Sequence, residues 1–259
     1  MNDVLHAWLE AVREGVRAAE STGGTFGRDV RILPTTGSTN DDVARAAAGG
    51  AAEGYAVIAA EQTAGRGRRG AAWHSPATHG LYCSLLLRPA GWPVVVDTPS
   101  SSAPGLVTLM AGVAVAQAIG DACRAHVELK WPNDVMVRVE RGRWRKLAGI
   151  LAEGVGDGGG LKTVVLGMGI NIERFDAPPD VAARMVALTE VAALSPELTP
   201  RLVADLVTAL LVRLEQGVAQ LSRGALADVR ATWSAFAPTV QGTPVTWDAR
   251  GERQHGVAR

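Results

Sequence analysis

The chain has 259 residues, 47% apolar and 20% charged, and its 26 basic side chains are balanced by 26 acidic ones. That length and apolarity bury a substantial core and exclude a disordered chain, while a formal charge of zero excludes a general attraction to nucleic acid or to an acidic membrane. Cys83 and Cys123 lie far apart among apolar neighbours, so they form neither a disulfide framework nor a zinc pattern and read as buried thiols of a reducing compartment.

The opening MNDVLHAWLE carries Asp3 and Glu10 where a secretory signal needs basic and then apolar residues. Leu5, Trp8, Leu9, Val12 and Val16 recur at spacings of three and four, which predicts an amphipathic helix over 3–20, broken by Gly23, Gly24 and Gly27. RILPTTGS at 31–38 passes from an extended segment into a turn. Thr39 is then expected to cap a helix over 40–48, with Asp42 at its third position in a variant capping box. YAVIAAEQ at 55–62 and LYCSLLLRP at 81–89 read as buried strands on either side of the loop TAGRGRRGAAWHSPATHG at 63–80. The Pro- and Ser-rich piece at 91–104 reads as a surface loop. LVTLMAGVAVAQAI at 106–119 is apolar but too short to span about 30 Å of hydrocarbon, so it predicts a core helix.

VELKW at 127–131, DVMVRVE at 134–140, KLAGILAEGV at 146–155 and TVVLGMGINI at 163–172 are extended segments, the second and third joined by a hairpin turn at 140–145. Strands that follow one another through short turns favour an antiparallel or mixed sheet. Amphipathic patterns at 180–193, 200–216 and 225–236 predict helices. After Pro238 the texture changes to two short strands around a polar turn.

Three clusters carry chemistry. GRGRRG at 65–70 follows a buried strand, and its glycines let backbone N–H groups approach a ligand while Arg66, Arg68 and Arg69 offer fans of donors to phosphate or carboxylate oxygens. The ending of a Walker A loop is missing, and Trp73 is the one aromatic nearby, so a small anionic ligand fits better than a nucleic-acid strand. LKWPNDV at 129–135 holds Lys130, Asn133 and Asp134 around a Trp-Pro turn, where Asn can pair with a purine edge and Asp can take a donor or approach Mg²⁺ through water; an Asx turn is the plainer reading.

The third cluster is on the strands. Strict alternation places Lys146 with Ala148, Ile150 and Ala152 on one face, and Leu147, Gly149, Leu151 and Glu153 on the other. Only three basic residues are Lys, so a Lys at a strand end stands out as a point charge. Gly167 and Gly169 share a face and leave room for a flat ligand, with Asn171 at the rim. His74 and His79 lack the convergent carboxylates of a zinc site, and the sequence assigns no metal ligands.

Together, STN at 38–40, EQTAGRGRRGAAW at 61–73, KWPND at 130–134, KLAGIL at 146–151 and GMGIN at 167–171 resemble, in order, the biotin protein ligase (biotin–[acetyl-CoA-carboxylase] ligase) family over roughly 35–240. The resemblance implies an α+β fold in which a mixed seven-stranded sheet is backed by helices, of the class II aminoacyl-tRNA synthetase and biotin/lipoate ligase type. It implies a catalytic domain over 1–236 and the start of a small SH3-like C-terminal domain at 237–259. The implied reaction joins biotin and ATP into biotinyl-5′-AMP with release of pyrophosphate, then moves biotin to one lysine of a biotin carboxyl carrier domain of acetyl-CoA or another acyl-CoA carboxylase. Mg²⁺ would neutralise the pyrophosphate.

By motif, Ser38, Thr39, Asn40, Gln62 and Arg66 resemble the family's biotin-pocket residues, with Gly65 giving close backbone approach. Arg68 and Arg69 resemble the arginines near the adenylate phosphate. Trp73 is similar to the aromatic that closes over the intermediate, while Lys130, Asn133, Asp134 and Asn171 look like nucleotide-side residues and Gly149 like part of the ligand face. Lys146 resembles the catalytic lysine, with Arg68 beside it. Ala71 departs from a position that is basic in many relatives, which implies weaker pyrophosphate contacts. The resemblance is to the monofunctional, cytoplasmic type: too few residues precede STN for a DNA-binding domain, so neither DNA nor membrane is an expected partner, and an edge-to-edge homodimer is an option the family uses. The chain ends at Arg259, short of the family's small barrel, and so reads as cut short there.

Overall fold

The computed structural model describes residues 2–93, 103–157, 160–192, 198–240, 242–249 and 252–258. In chain order its strands are β1 (Val30–Leu33), β2 (Ala56–Ala59), β3 (Gly80–Leu87), β4 (Glu128–Lys130), β5 (Asp134–Arg138), β6 (Trp144–Asp157) and β7 (Gly160–Asn171). They form one seven-stranded sheet in the order β1-β2-β3-β7-β6-β5-β4; β1 pairs with β2 in parallel and the other pairs are antiparallel. The mixed sheet expected from the short turns is therefore present. The helices are α1 (Asn2–Ser21), α2 (Thr39–Ala48), α3 (Ala103–Cys123), α4 (Pro179–Ala182), α5 (Leu188–Ala192), α6 (Thr199–Ser222) and α7 (Leu226–Ala235).

The two faces of the sheet bury different things. Ile58, Cys83, Leu85, Leu166, Met168, Ile170 and Ile150 share one core with Val12 of α1, Met110 and Val115 of α3, and Leu206, Leu210 and Leu214 of α6. Each such side chain contributes about 1.5–3 kcal/mol on burial, which holds α3 on the sheet, α1 beside β1, and α6 against both helices. On the opposite face Val57, Leu86 and Val165 pack on Val43 of α2 in a small separate cluster. Beside that cluster the same face presents Gly149, Gly167 and Gly169, which pair across β6, β7 and β3 and leave a depression. The long helices α1, α3 and α6 thus lie on one side, and the other carries α2 beside the glycine depression.

Four expectations need correction. Thr39 is the first residue of α2, its N-cap is Ser38 without a side-chain capping bond, and Asp42 accepts from Thr36 Oγ1 at 2.6 Å instead of completing a capping box. The capping oxygens are spent elsewhere in the site. The core helix is longer than 106–119: Gly105–Cys123 is long and apolar enough to cross a membrane by length and composition, and its packing against the sheet and α6, not shortness, makes it a core helix. The helix expected at 180–193 is split into α4 and α5 because the chain between them runs beside β6, with Lys146 N–H donating to Arg184 O at 2.7 Å and Val186 N–H to Lys146 O at 3.0 Å. The fourth concerns the face on which Lys146 stands and is taken up with the site.

Of the loop expected at 91–104, residues 94–102 lie outside the described residues, and 103–104 already belong to α3. The two C-terminal strands are present as the antiparallel ribbon β8 (Pro244–Ala249) and β9 (Glu252–Val257), with Pro244 opposite Val257; the turn between them lies outside the described residues.

Candidate active site

Two adjoining cavities lie over the glycine face. The first, about 280 Å³, is lined by Ser38, Thr39 and Asn40 at the start of α2, by Gln62, Arg66, Arg68 and Trp73 of the Gly/Arg loop region, and by Asn133, Asp134, Lys146 and Gly149. The second, about 440 Å³ and more open, is lined by Lys130, Met136, Trp144, Asn171, Phe175 and Met185 among others. Trp73, Asp134 and Lys146 line both and so stand at their junction. Of the residues singled out by motif, Gly65 and Arg69 line neither, and Asn133 lines the first cavity, not the second with Lys130 and Asn171.

The first cavity has a continuous polar floor. Thr39 donates to Gln62 Oε1 through its backbone N–H at 2.9 Å and its hydroxyl at 3.0 Å, and Gln62 Nε2 donates to Ser75 Oγ at 2.9 Å. Ser84, fully buried on β3, places its hydroxyl 2.7 Å from Thr39 Oγ1 and 2.6 Å from Asn40 Oδ1, and Asn40 Nδ2 donates to Glu153 Oε2. Holding every amide in a fixed orientation by a partner sets which edge of a ligand can bind there.

Lys146 reaches this face through a bulge. The register of β5 against β6 shifts between Val135 and Met136, so Ala148 opposes Val135 and Lys146 opposes Met136, with Leu147 as the extra residue. An inserted residue reverses the alternation. Leu147 and Ala148 both enter the core, and Lys146 joins Gly149 on the cavity face, the reverse of strict alternation from the sequence. Lys146 Nζ lies 2.6 Å from Asp134 Oδ1 and 5.0 Å from the Trp73 ring centre.

Trp73 fills the space that the glycines were expected to leave for a ligand. A Cβ on Gly169 would fall 2.5 Å from the indole Cε2, and one on Gly149 would be 2.9 Å from Cζ3, while one on Gly167 would collide with Asn40 Oδ1. The glycines therefore seat Trp73 and Asn40, and these in turn shape the cavity. The Trp73 indole N–H is buried without a hydrogen-bond partner. Gly65 likewise makes room for the loop's own return, since a Cβ there would be 2.5 Å from Trp73 O.

In the loop, Arg66 is clamped by Asp41, Arg68 Nη1 donates to Asn133 Oδ1 at 3.4 Å, and Arg69 has a positive φ of 57°. Asn133 Nδ2 donates to Ile150 O at 2.9 Å, which ties the turn after the cis Trp131–Pro132 bond to β6. Asn171, buried, donates to Val186 O at 3.2 Å. Reading from sequence missed Asp41, Ser75, Ser84, Glu153 and the second cavity's Trp144 and Phe175. Ser84 and Glu153 were signalled by a polar residue interrupting an apolar strand, whereas nothing local marked Trp144 or Phe175.

The sequence model of the biotin/lipoate A/B protein ligase family matches residues 35–171. A biotin–[acetyl-CoA-carboxylase] ligase of Paracoccus denitrificans is 32% identical over 232 residues, which is 87% of this chain and 88% of that protein. The bifunctional ligase/repressor BirA of Bacillus subtilis is 35% identical over 163 residues, 62% of this chain and 45% of that protein, so the match spans less than half of that relative's length. Among solved structures, the biotin protein ligase of Aquifex aeolicus in complex with biotin and ATP shares the fold with a TM-score of 0.68 at 22% identity, over 89% of this chain and 86% of that one.

Proposed function

The chain belongs to the biotin/lipoate A/B protein ligase family, and from that premise we propose that it activates biotin with ATP and transfers it to a lysine of a biotin carboxyl carrier domain, as a cytoplasmic enzyme. The observation that carries this reading is the meeting of two chemically different cavities at one lysine. The first offers donors and acceptors from Ser38, Thr39, Asn40 and Gln62 to a ureido ring, beside the flat Trp73 for the apolar part of biotin. The second offers Trp144, Phe175, Met136 and Met185 to a purine, with Lys130 and the buried Asn171 also in its lining.

A biotin carboxylate extending from the first cavity meets the α-phosphate of a nucleotide in the second beside Lys146. The carboxylate oxygen bonds to the α-phosphorus as the bond to pyrophosphate breaks, giving the mixed anhydride. Lys146, held by Asp134, and Arg68 of the Gly/Arg loop are the positive groups beside the charge that accumulates there, and preorganised charge is the protein's main lever on such a step. In the second step the carrier lysine's ε-amine attacks the anhydride carbonyl and AMP leaves. Among the described residues no three His, Cys, Asp or Glu side chains converge on a metal site. Mg²⁺ would enter as the counter-ion of the nucleotide's phosphates, and Asp134, which lines both cavities, would be the carboxylate that meets its waters.

The test is incubation with biotin, MgATP and a carrier domain, followed by a streptavidin blot. Label on the carrier's biotinylatable lysine supports the reading. No label with biotin, or transfer of lipoate instead in a parallel reaction, overturns it.

A further inference from the structure

The polar floor of the first cavity has a direction, and two groups outside the cavity set it. Ser84 on β3 is fully buried and shares its one hydroxyl hydrogen between Thr39 Oγ1 at 2.7 Å and Asn40 Oδ1 at 2.6 Å, so two chains of hydrogen bonds start from it. The first runs from the Thr39 hydroxyl to Gln62 Oε1 at 3.0 Å, from Gln62 Nε2 to Ser75 Oγ at 2.9 Å, and from the Ser75 hydroxyl to Trp73 O at 3.1 Å. The second runs from Asn40 Nδ2 to Glu153 Oε2 on β6. Both chains end on groups that only accept, a backbone carbonyl and a carboxylate.

These fixed partners decide how each amide is turned. A carboxylate has no hydrogen to give, so Asn40 faces Glu153 with its nitrogen and Ser84 with its oxygen. The Thr39 backbone N–H, 2.9 Å from Gln62 Oε1, cannot accept, so Gln62 turns its nitrogen the other way, to Ser75. Thr39 and Asn40 are buried, and a reversed amide there would set like atoms against each other out of reach of water. Each amide nitrogen spends one hydrogen in its chain and keeps the second for the cavity that Asn40 and Gln62 both line. Ser84 and Glu153 line neither cavity, so they act through the residues that do.

We propose that Glu153 and Ser84 are positioning residues, which set the polarity of the floor so that the amide nitrogens of Asn40 and Gln62 serve a carbonyl-type oxygen of the ligand. That this oxygen belongs to a cyclic urea rests on the reading of the cavity as a biotin site; the setting of the amides does not.

Calorimetry with two neutral ligands reads the polarity: biotin, and its thiourea analogue, in which sulfur replaces the ureido oxygen and accepts hydrogen bonds weakly. Glu153→Gln keeps the shape of the side chain but lets the end of the chain donate as well as accept, so the Asn40 amide is no longer held one way. The biotin dissociation constant should rise by about tenfold, the weight of one hydrogen bond, and that of the analogue by less than about threefold. The single-turnover rate at saturating biotin should stay within about twofold of the parent's. Glu153→Asp, which restores a carboxylate, should recover part of the loss. Ser84→Ala should weaken biotin in the same selective way, and adding it to E153Q should cost less than the product of the two single effects, because both act through Asn40. In the unliganded protein the side-chain amide signal of Asn40 in nitrogen–proton NMR, identified by its loss in Asn40→Asp, should shift in E153Q. An unshifted Asn40 signal, parent-like biotin affinity, or equal weakening of both ligands in a folded E153Q protein overturns the proposal. A parent that binds no biotin while that signal shifts overturns the proposed function and leaves the setting of the floor standing.

Discussion

In the proposed reaction Lys146 is the charge at the meeting point of the two substrates, and its position shows how one backbone feature shapes a candidate site. Alternation along β6 assigned it to the helix-covered face, because a bulge leaves no mark in the alternation of apolar residues; the inserted Leu147 is as apolar as its neighbours. With the bulge, the ammonium lies against Asp134 and over Trp73 at the junction of both cavities. Removing it in Lys146→Ala should slow adenylate formation by at least about 100-fold, the cost of losing one preorganised charge, while transfer from supplied biotinyl-AMP suffers less. Single-turnover measurement of each half-reaction checks this, and adenylate formation near the parent rate would move the role to Arg66, Arg68 or Lys130. Gly169→Val makes a complementary test. Its side chain meets the Trp73 indole, and overpacking of this kind costs about 1–3 kcal/mol. The folded variant should show an altered tryptophan near-UV signal and about tenfold weaker biotin binding. Parent affinity with a displaced indole would show that the seat of Trp73 has only a packing purpose.

At the scale of elements, what was legible was whatever repeats. The apolar runs of β2, β3, β6 and β7 and the three- and four-residue spacing of α1 follow from burial on one or both sides, and the sequence periods report that directly. What was illegible depends on long-range partners: Gln62 and Ser84 engaging the Thr39 hydroxyl that was expected to cap a helix, Lys146 drawing 184–186 out of a helix, and Asp41 claiming Arg66 from far along the chain. The packing of α1 on α6 is a further case, since nothing in the apolar spacing of α1 marks Gly15 as its point of close approach. A Cβ there would sit 2.5 Å from Ala204 O and 2.8 Å from Val207 Cβ. Gly15→Val should therefore destabilise the protein by about 1–3 kcal/mol, whereas Arg17→Ala, on the exposed side of the same helix, should stay within about 0.5 kcal/mol. Thermal unfolding of both variants separates a helix that is packed from one that is merely adjacent; equal stability of the two would contradict close packing at Gly15.

At the scale of the whole molecule, the division of labour between the two sheet faces links fold to function. One face is committed to the core with α1, α3 and α6; the other combines α2, the Gly/Arg loop and three glycines into two cavities with a shared boundary. That arrangement suits a reaction in which two substrates bind separately and react at their point of contact, and no side chain need be acylated. The most direct measurement is substrate-dependent exchange between ATP and pyrophosphate in the presence of Mg²⁺, which reads the first chemical step without a carrier. The account predicts exchange with biotin, strong loss of it in K146A, and none with lipoate; exchange with lipoate alone, or undiminished exchange in K146A, would contradict it.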